Sequence, residues 1–186
     1  MTGVIRLQPV LALIALVLLS PVMLAVALLV LASLGRPVLF RQLRSGKAGV
    51  PFRMVKFRTM RELYDGAGKL LPDELRTTGV GRFLRRSRLD ELPELVNVIT
   101  GDMNLVGPRP LLPETIAEMG EGGALRGAVR PGLTGLAQVS GNTLLRRDEK
   151  LALDTWYVRN RSWWLDWRIA FRTLAVVILG ERRIGS

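Results

Sequence analysis

The string RFLRRSRLDELPE, residues 82–94, sets two adjacent carboxylates, Asp90 and Glu91, directly behind Arg85, Arg86 and Arg88. A carboxylate among cations can attack phosphorus or hold a hard cation, and guanidinium forks grip phosphate oxygens in pairs. Leu92, Leu95, Val96 and Ile99 recur at helical spacing, which predicts a helix from near Asp90 to just before Gly101, with Pro93 tolerated in its first turn. Free N–H groups at a helix start add to the attraction for an anion. Taken alone, the local pattern favours Asp90 as a plain N-cap and the arginines as a solvated face.

The chain has no His and no Cys, so imidazole bases, thiolate nucleophiles, disulfides and the usual zinc sites are excluded. Acid and base chemistry falls to carboxylates, Lys and Tyr, and a metal would have oxygen ligands, with Mg2+ the natural choice beside phosphate. Among 186 residues, 27 Lys and Arg face 16 Asp and Glu, a net charge of +11, while 48% of the chain is hydrophobic. Basic and apolar surfaces must therefore be segregated, and the partners are anionic.

The elements that position these groups begin with an uncharged run between Arg6 and Arg36, LQPVLALIALVLLSPVMLAVALLVLASLG, long enough to span a bilayer as a straight helix. It exceeds a signal-peptide h-region, and arginines follow it. Ser20-Pro21 falls near its middle, where proline removes a donor and bends a helix. Basic residues at both ends, Arg6 and then Arg36, Arg41, Arg44 and Lys47, favour a return to the cytoplasmic face; a kinked span fits the same residues. VLF and FRMVKF between 38 and 60, separated by Gly46, Gly49 and Pro51, predict a β-hairpin with basic side chains. Residues 61–76 form a turn-rich connection. GDMNLVGPRPLLPE predicts an extended, ordered loop, followed by a helix around Thr115 to Met119; Asp102 in it suits a turn or cap. Trp156, Trp163, Trp164 and Trp167 interleave with Arg159, Arg161, Arg168 and Arg172 ahead of an apolar stretch, as an interfacial helix requires; a core helix packing its tryptophans is the alternative.

RLDELPELVNVITGDMNLVGPRPLLPE, with KFRTM at 56–60 and RPGLTGLAQVSG at 130–141, resembles the bacterial sugar transferase family, the small monotopic phosphoglycosyl transferases. The likeness runs from the apolar segment to about Trp167. It implies an α+β, mostly helical fold: a re-entrant membrane helix hairpin over 1–36 that breaks at Ser20 and Pro21, and a catalytic domain over 37–186. A small β-hairpin and interfacial helices carrying Trp163, Trp164 and Trp167 would surround a cytoplasmic active site at the bacterial inner membrane.

By the same resemblance Asp90 and Glu91 form the catalytic dyad. Asp90 would attack the β-phosphate of a UDP-sugar, releasing UMP, and undecaprenyl phosphate would then take the sugar phosphate. Glu91 would assist as base or orient the site, Mg2+ held partly by Asp90 would offset charge, and Arg85, Arg109 and Lys56 would bind phosphate. Arg88 stands where small members more often carry an apolar or small residue, so its expected role is either an extra phosphate contact or a solvated charge. Expected partners are the UDP-sugar, undecaprenyl phosphate and membrane phospholipid. A basic membrane-binding module without catalysis is the rival reading, and nucleic-acid binding ranks below both because no recognition motif is present. No residue pattern selects the donor sugar or the oligomeric state.

Overall fold

The computed structural model describes residues 2–179, without the side chains of residues 2–6 and 178; the Arg6 flank therefore lies outside the described residues. Helix α1 (Thr2–Leu34) leads into an antiparallel hairpin of β1 (Leu39–Ser45) and β2 (Pro51–Phe57), as its turn residues predict. A connection with one short helix, α2 (Asp73–Arg76), reaches α3 (Gly79–Ser87), a 3-10 turn (Leu89–Glu94) and α4 (Leu95–Ile99). Next come β3 (Asn104–Val106), α5 (Pro113–Glu118), α6 (Gly120–Arg126), β4 (Gly132–Thr134), α7 (Leu136–Val139), α8 (Arg147–Asn160) and α9 (Trp163–Leu179). Strands β3 and β4 pair in parallel, so the fold is mostly helical α+β with two small sheets.

Helix α1 runs unbroken through Ser20 and Pro21, where a break was expected. Proline cannot donate to the carbonyl four residues back, that of Val17, and the Ser20 hydroxyl donates to this same carbonyl at 2.7 Å. One face of α1 belongs to the core along its length. Ala12 packs with Phe52, Met54, Leu95, Val98 and Met103, while Val26 and Val30 pack with Phe57 and Leu84. Gln8 is buried there and its Oε1 accepts from the Leu105 N–H at 2.9 Å. At the other end the Arg58 guanidinium donates to the carbonyls of Leu34 and Gly35, closing the C-terminus of the helix. The opposite face presents Val10, Leu13, Val17, Leu18, Leu24 and Leu28 uncovered, an apolar stripe far beyond what a water-facing helix carries.

Alternation along β2 sends Phe52, Met54 and Lys56 to one face, so the strand that buries two apolar side chains also aims an ammonium inward. Asn97 of α4 covers the free edge of β2: its Oδ1 accepts from Val55 N–H at 3.1 Å and its amide donates to Arg53 O at 2.9 Å. Asp102 does what its sequence suggests, accepting from Thr100 Oγ1 at 2.8 Å and fastening the turn after α4. The expected helix over 90–100 is present, but Leu89–Glu94 take 3-10 pitch around Pro93, and Arg88 precedes them in a left-handed conformation (φ 58°). Asp90 is thus inside the first turn and is not the N-cap, which is Arg88.

Helix α9 buries Ile169 against Tyr157 and Val106 and leaves Trp163, Trp164, Trp167, Phe171 and Leu174 exposed. Trp163 and Trp164 stack with ring centroids 4.3 Å apart. The tryptophans therefore face outward, and the core-packing alternative is excluded.

Candidate active site

The 3-10 turn lies against β2, and there the fold concentrates charge. Asp90 and Glu91 are each only 8% exposed. Lys56 reaches Glu91 Oε1 at 2.8 Å and Glu94 Oε1 at 3.0 Å, and Arg109 reaches Glu91 Oε1 at 2.6 Å. Arg85, on α3, donates through Nε to Thr59 Oγ1 at 2.9 Å, and its charge is felt at Asp90. Asp90, Glu91, Lys56, Arg85 and Arg109 thus come together from four segments of the chain. Ser20, Pro21, Trp163, Trp164 and Trp167 stand apart on α1 and α9.

The two dyad carboxyls are set in opposite directions. Burial, reinforced by the neighbouring charge of Glu91, pushes Asp90 up to about 6, against the pull of Lys56, Arg109 and Arg85. Burial also acts on Glu91, but Arg109 and Lys56 outweigh it and hold that carboxyl down at about 2. At neutral pH Asp90 is ionised yet poorly solvated, which suits a nucleophile. Glu91 is a fixed anion and too weak a base to take a proton there.

Three further residues belong to this site and were not singled out by sequence. Glu94 is 2% exposed and shares Lys56 with Glu91; burial lifts its carboxyl to about 7. Its spacing after Glu91 was visible, but nothing local says that a lysine 38 positions upstream will meet it. Arg44 lies on the same strand face as Phe52, beside Lys56, Glu94 and Arg109 in a small recess. Burial and the charge of Arg109 lower its pKa.

Arg126 is the third. It pairs with Asp154 of α8 at 2.7 Å, with both side chains about 5% exposed or less, and it donates to the Arg109 carbonyl at 2.9 Å. A continuous series therefore runs from Asp154 through Arg126 and Arg109 to Glu91. Replacing Arg126 with Met strands a buried carboxylate, so unfolding free energy is expected to fall by about 3–5 kcal/mol. Denaturant titration in detergent checks this, and a loss below about 1 kcal/mol would show the pair to be dispensable.

Among the described residues no group of three or more carboxylates is arranged to enclose a metal. The donor set still suits Mg2+: Glu91 and Glu94 are committed to cations, Asp90 remains as one hard oxygen ligand, and Mg2+ at phosphate sites commonly uses one or two carboxylates with water and phosphate oxygens.

A sequence profile of the bacterial sugar transferase family matches residues 5–180, and the chain belongs to that family. It is 47% identical over 148 residues to an uncharacterized sugar transferase, EpsL, of Bacillus subtilis, covering 80% of this chain and 73% of that one. It is 41% identical over 175 residues to the UDP-glucose:undecaprenyl-phosphate glucose-1-phosphate transferase of Escherichia coli, covering 89% of this chain and 38% of that one. Against the undecaprenyl-phosphate galactose phosphotransferase of Salmonella typhimurium the identity is 37% over 170 residues, 82% of this chain and 35% of the other. The chain thus spans most of EpsL but little more than a third of the two named transferases.

Proposed function

We propose that this chain is a membrane-associated phosphoglycosyl transferase that moves a sugar 1-phosphate from a UDP-sugar to undecaprenyl phosphate, releasing UMP and starting assembly of a surface glycan. The observation that carries the reading is the buried Asp90–Glu91 pair ringed by Lys56, Arg109 and Arg85, in a chain whose relatives are named for this transfer with glucose and galactose. A basic lipid-binding module would keep its cations in water and has no use for three buried carboxylates.

In this mechanism an Asp90 oxygen bonds to the β-phosphorus, the bond from that phosphorus to the bridging oxygen breaks, and UMP leaves with the oxygen. A phosphate oxygen of undecaprenyl phosphate then bonds to the same phosphorus and the Asp90 carboxylate departs. Both steps bring anions together, and Arg109, Lys56 and Arg85 offset that charge. Glu91 orients Arg109 and Lys56. Mg2+, held through Asp90 and the donor's phosphates, would supply further neutralisation of the diphosphate.

The anchoring reading treats residues 1–36 as a re-entrant membrane segment and 37–186 as a catalytic domain on the cytoplasmic face of the inner membrane. Three observations support it. Both halves of α1 rest on the same domain, which a helix crossing the bilayer and leaving that domain behind would not do. Pro21 stands near mid-length, where a proline can bend a helix, and the outer face of the helix is apolar. The exposed tryptophan row of α9 suits the headgroup level of phospholipid. Since the chain lacks cysteine, Thr2→Cys and Val38→Cys give clean probes. Both should react only from the cytoplasmic side, and labelling of Thr2→Cys from outside intact cells would mean a span.

The function is tested with purified protein, undecaprenyl phosphate, Mg2+ and a panel of UDP-hexoses, reading UMP. Release with UDP-glucose or UDP-galactose is expected. Silence across the whole panel would overturn the reading.

A further inference from the structure

A cleft of about 450 Å³ opens beside the carboxylate cluster, between the turn that joins β1 to β2 and the end of α6. Its volume lies in the range of small-molecule sites, roughly 300–1,000 Å³. Arg109 lines it and at the same time reaches Glu91 at 2.6 Å, so one guanidinium bounds both the dyad and the cleft. The walls are mainly apolar, with Ile116, Ala124, Val129 and Pro131 among them, and exposed Lys47 stands at the rim. The Ala48 N–H donates to the Gly127 carbonyl at 2.7 Å, which ties the turn to the opposite wall and fixes the width of the cleft.

We infer that this cleft receives the nucleoside half of the nucleotide-sugar donor; the inference rests on the transfer reading above. A donor attacked by Asp90 at its β-phosphorus has its leaving nucleotide directed away from that carboxylate, in line with the forming bond. Beyond the dyad, Arg109 is the group that hands the chain of phosphates on to a space large enough for a ring system. The recess on its inner side, with Arg44 and Lys56, has only about 10 Å³, room for a water-sized group. Apolar walls with a cationic rim fit a flat heterocycle whose phosphate stays at the mouth. An isoprenoid chain would arrive from the lipid-facing elements, and among the described residues none of α1 or α9 lines the cleft.

Ala124 and Ala128 are exposed on the cleft wall, so a tryptophan at either position fills the space without displacing core atoms. In Ala124→Trp and Ala128→Trp, each assayed separately, Kd for UMP by calorimetry and KM for the donor should rise tenfold or more. Inhibition by inorganic pyrophosphate and KM for undecaprenyl phosphate should change less than twofold. Photocrosslinking of unaltered protein with 4-thio-UMP should mark residues 46–49 or 124–131. Unchanged UMP affinity in the folded variants, a rise in acceptor KM instead, or crosslinks on α1 or α9 would overturn the assignment of the cleft alone. Wild-type protein that neither binds nor releases UMP would remove the transfer reading itself and this inference with it.

Discussion

Asp90→Asn should lose UMP release by a factor of at least about 10³ while gaining stability. The two effects have one cause. Burial raises the Asp90 carboxyl from its ordinary 3.8 to about 6, so the ionised form is held in the fold at a cost. At 1.36 kcal/mol per unit, a rise of about two units amounts to about 3 kcal/mol. An amide in the same place keeps some desolvation of its own, leaving an expected gain of about 1–2 kcal/mol. The sign follows from linkage: the burden is complete above the folded pKa and vanishes below the unfolded one, so the gain should be full above about pH 6 and fade toward pH 4. A thermal-shift series across pH beside the UMP assay measures both. An inactive variant whose Tm falls would make Asp90 a structural residue, and an active one would remove it from the chemistry.

Arg109→Ala should cost about 10²–10³ in kcat/KM for the donor, the range found when one preorganised donor to transition-state charge is removed. The Arg109 side chain is 39% exposed, so it can meet a ligand while holding Glu91. Its removal also leaves Lys56 as the remaining close cation on Glu91, and that carboxyl should climb from about 2 toward its usual range. Arg109→Lys should restore only part of the activity, because an ammonium cannot serve Glu91 and a phosphate with the paired geometry of a planar fork. Steady-state kinetics of both variants decide this. Full activity in the alanine variant would place donor binding elsewhere.

The sequence was most informative where chemistry is local. Glycines 46 and 49 with alternating FRMVKF specify a hairpin, and the same alternation puts Lys56 on the buried face with Phe52 and Met54. The spacing of Leu92, Leu95, Val96 and Ile99 marks the helical segment behind the dyad, though proline geometry at residue 93 makes its start a 3-10 turn. Arg85 and Arg109 were reached through resemblance, and the structure brings both to the dyad. Glu94, Arg44 and Arg126 escaped because their meaning is tertiary. Glu94 on a helical turn reads as solvated until Lys56 arrives from β2, and Arg126 and Asp154 are 28 positions apart with no pattern that links them.

The apolar run shows the same division. Its length and Ser20-Pro21 were plain in the sequence, but the engagement of Ala12, Val26 and Val30 with the domain depends on the packing surface offered by β2, α3 and α4. Ala12, Val26 and Val30 are buried against those elements, so α1 is held by the domain through close packing.

In the proposed mechanism Asp90 carries the sugar phosphate between donor and acceptor. The most direct measurement is a single-turnover reaction with the donor and Mg2+ but no undecaprenyl phosphate, followed by UMP quantitation and intact-protein mass. One UMP per protein and a mass increase of one sugar phosphate, mapped to Asp90 and absent in Asp90→Asn, is the expected result. UMP that appears only once the acceptor is added, with the protein mass unchanged throughout, would contradict it.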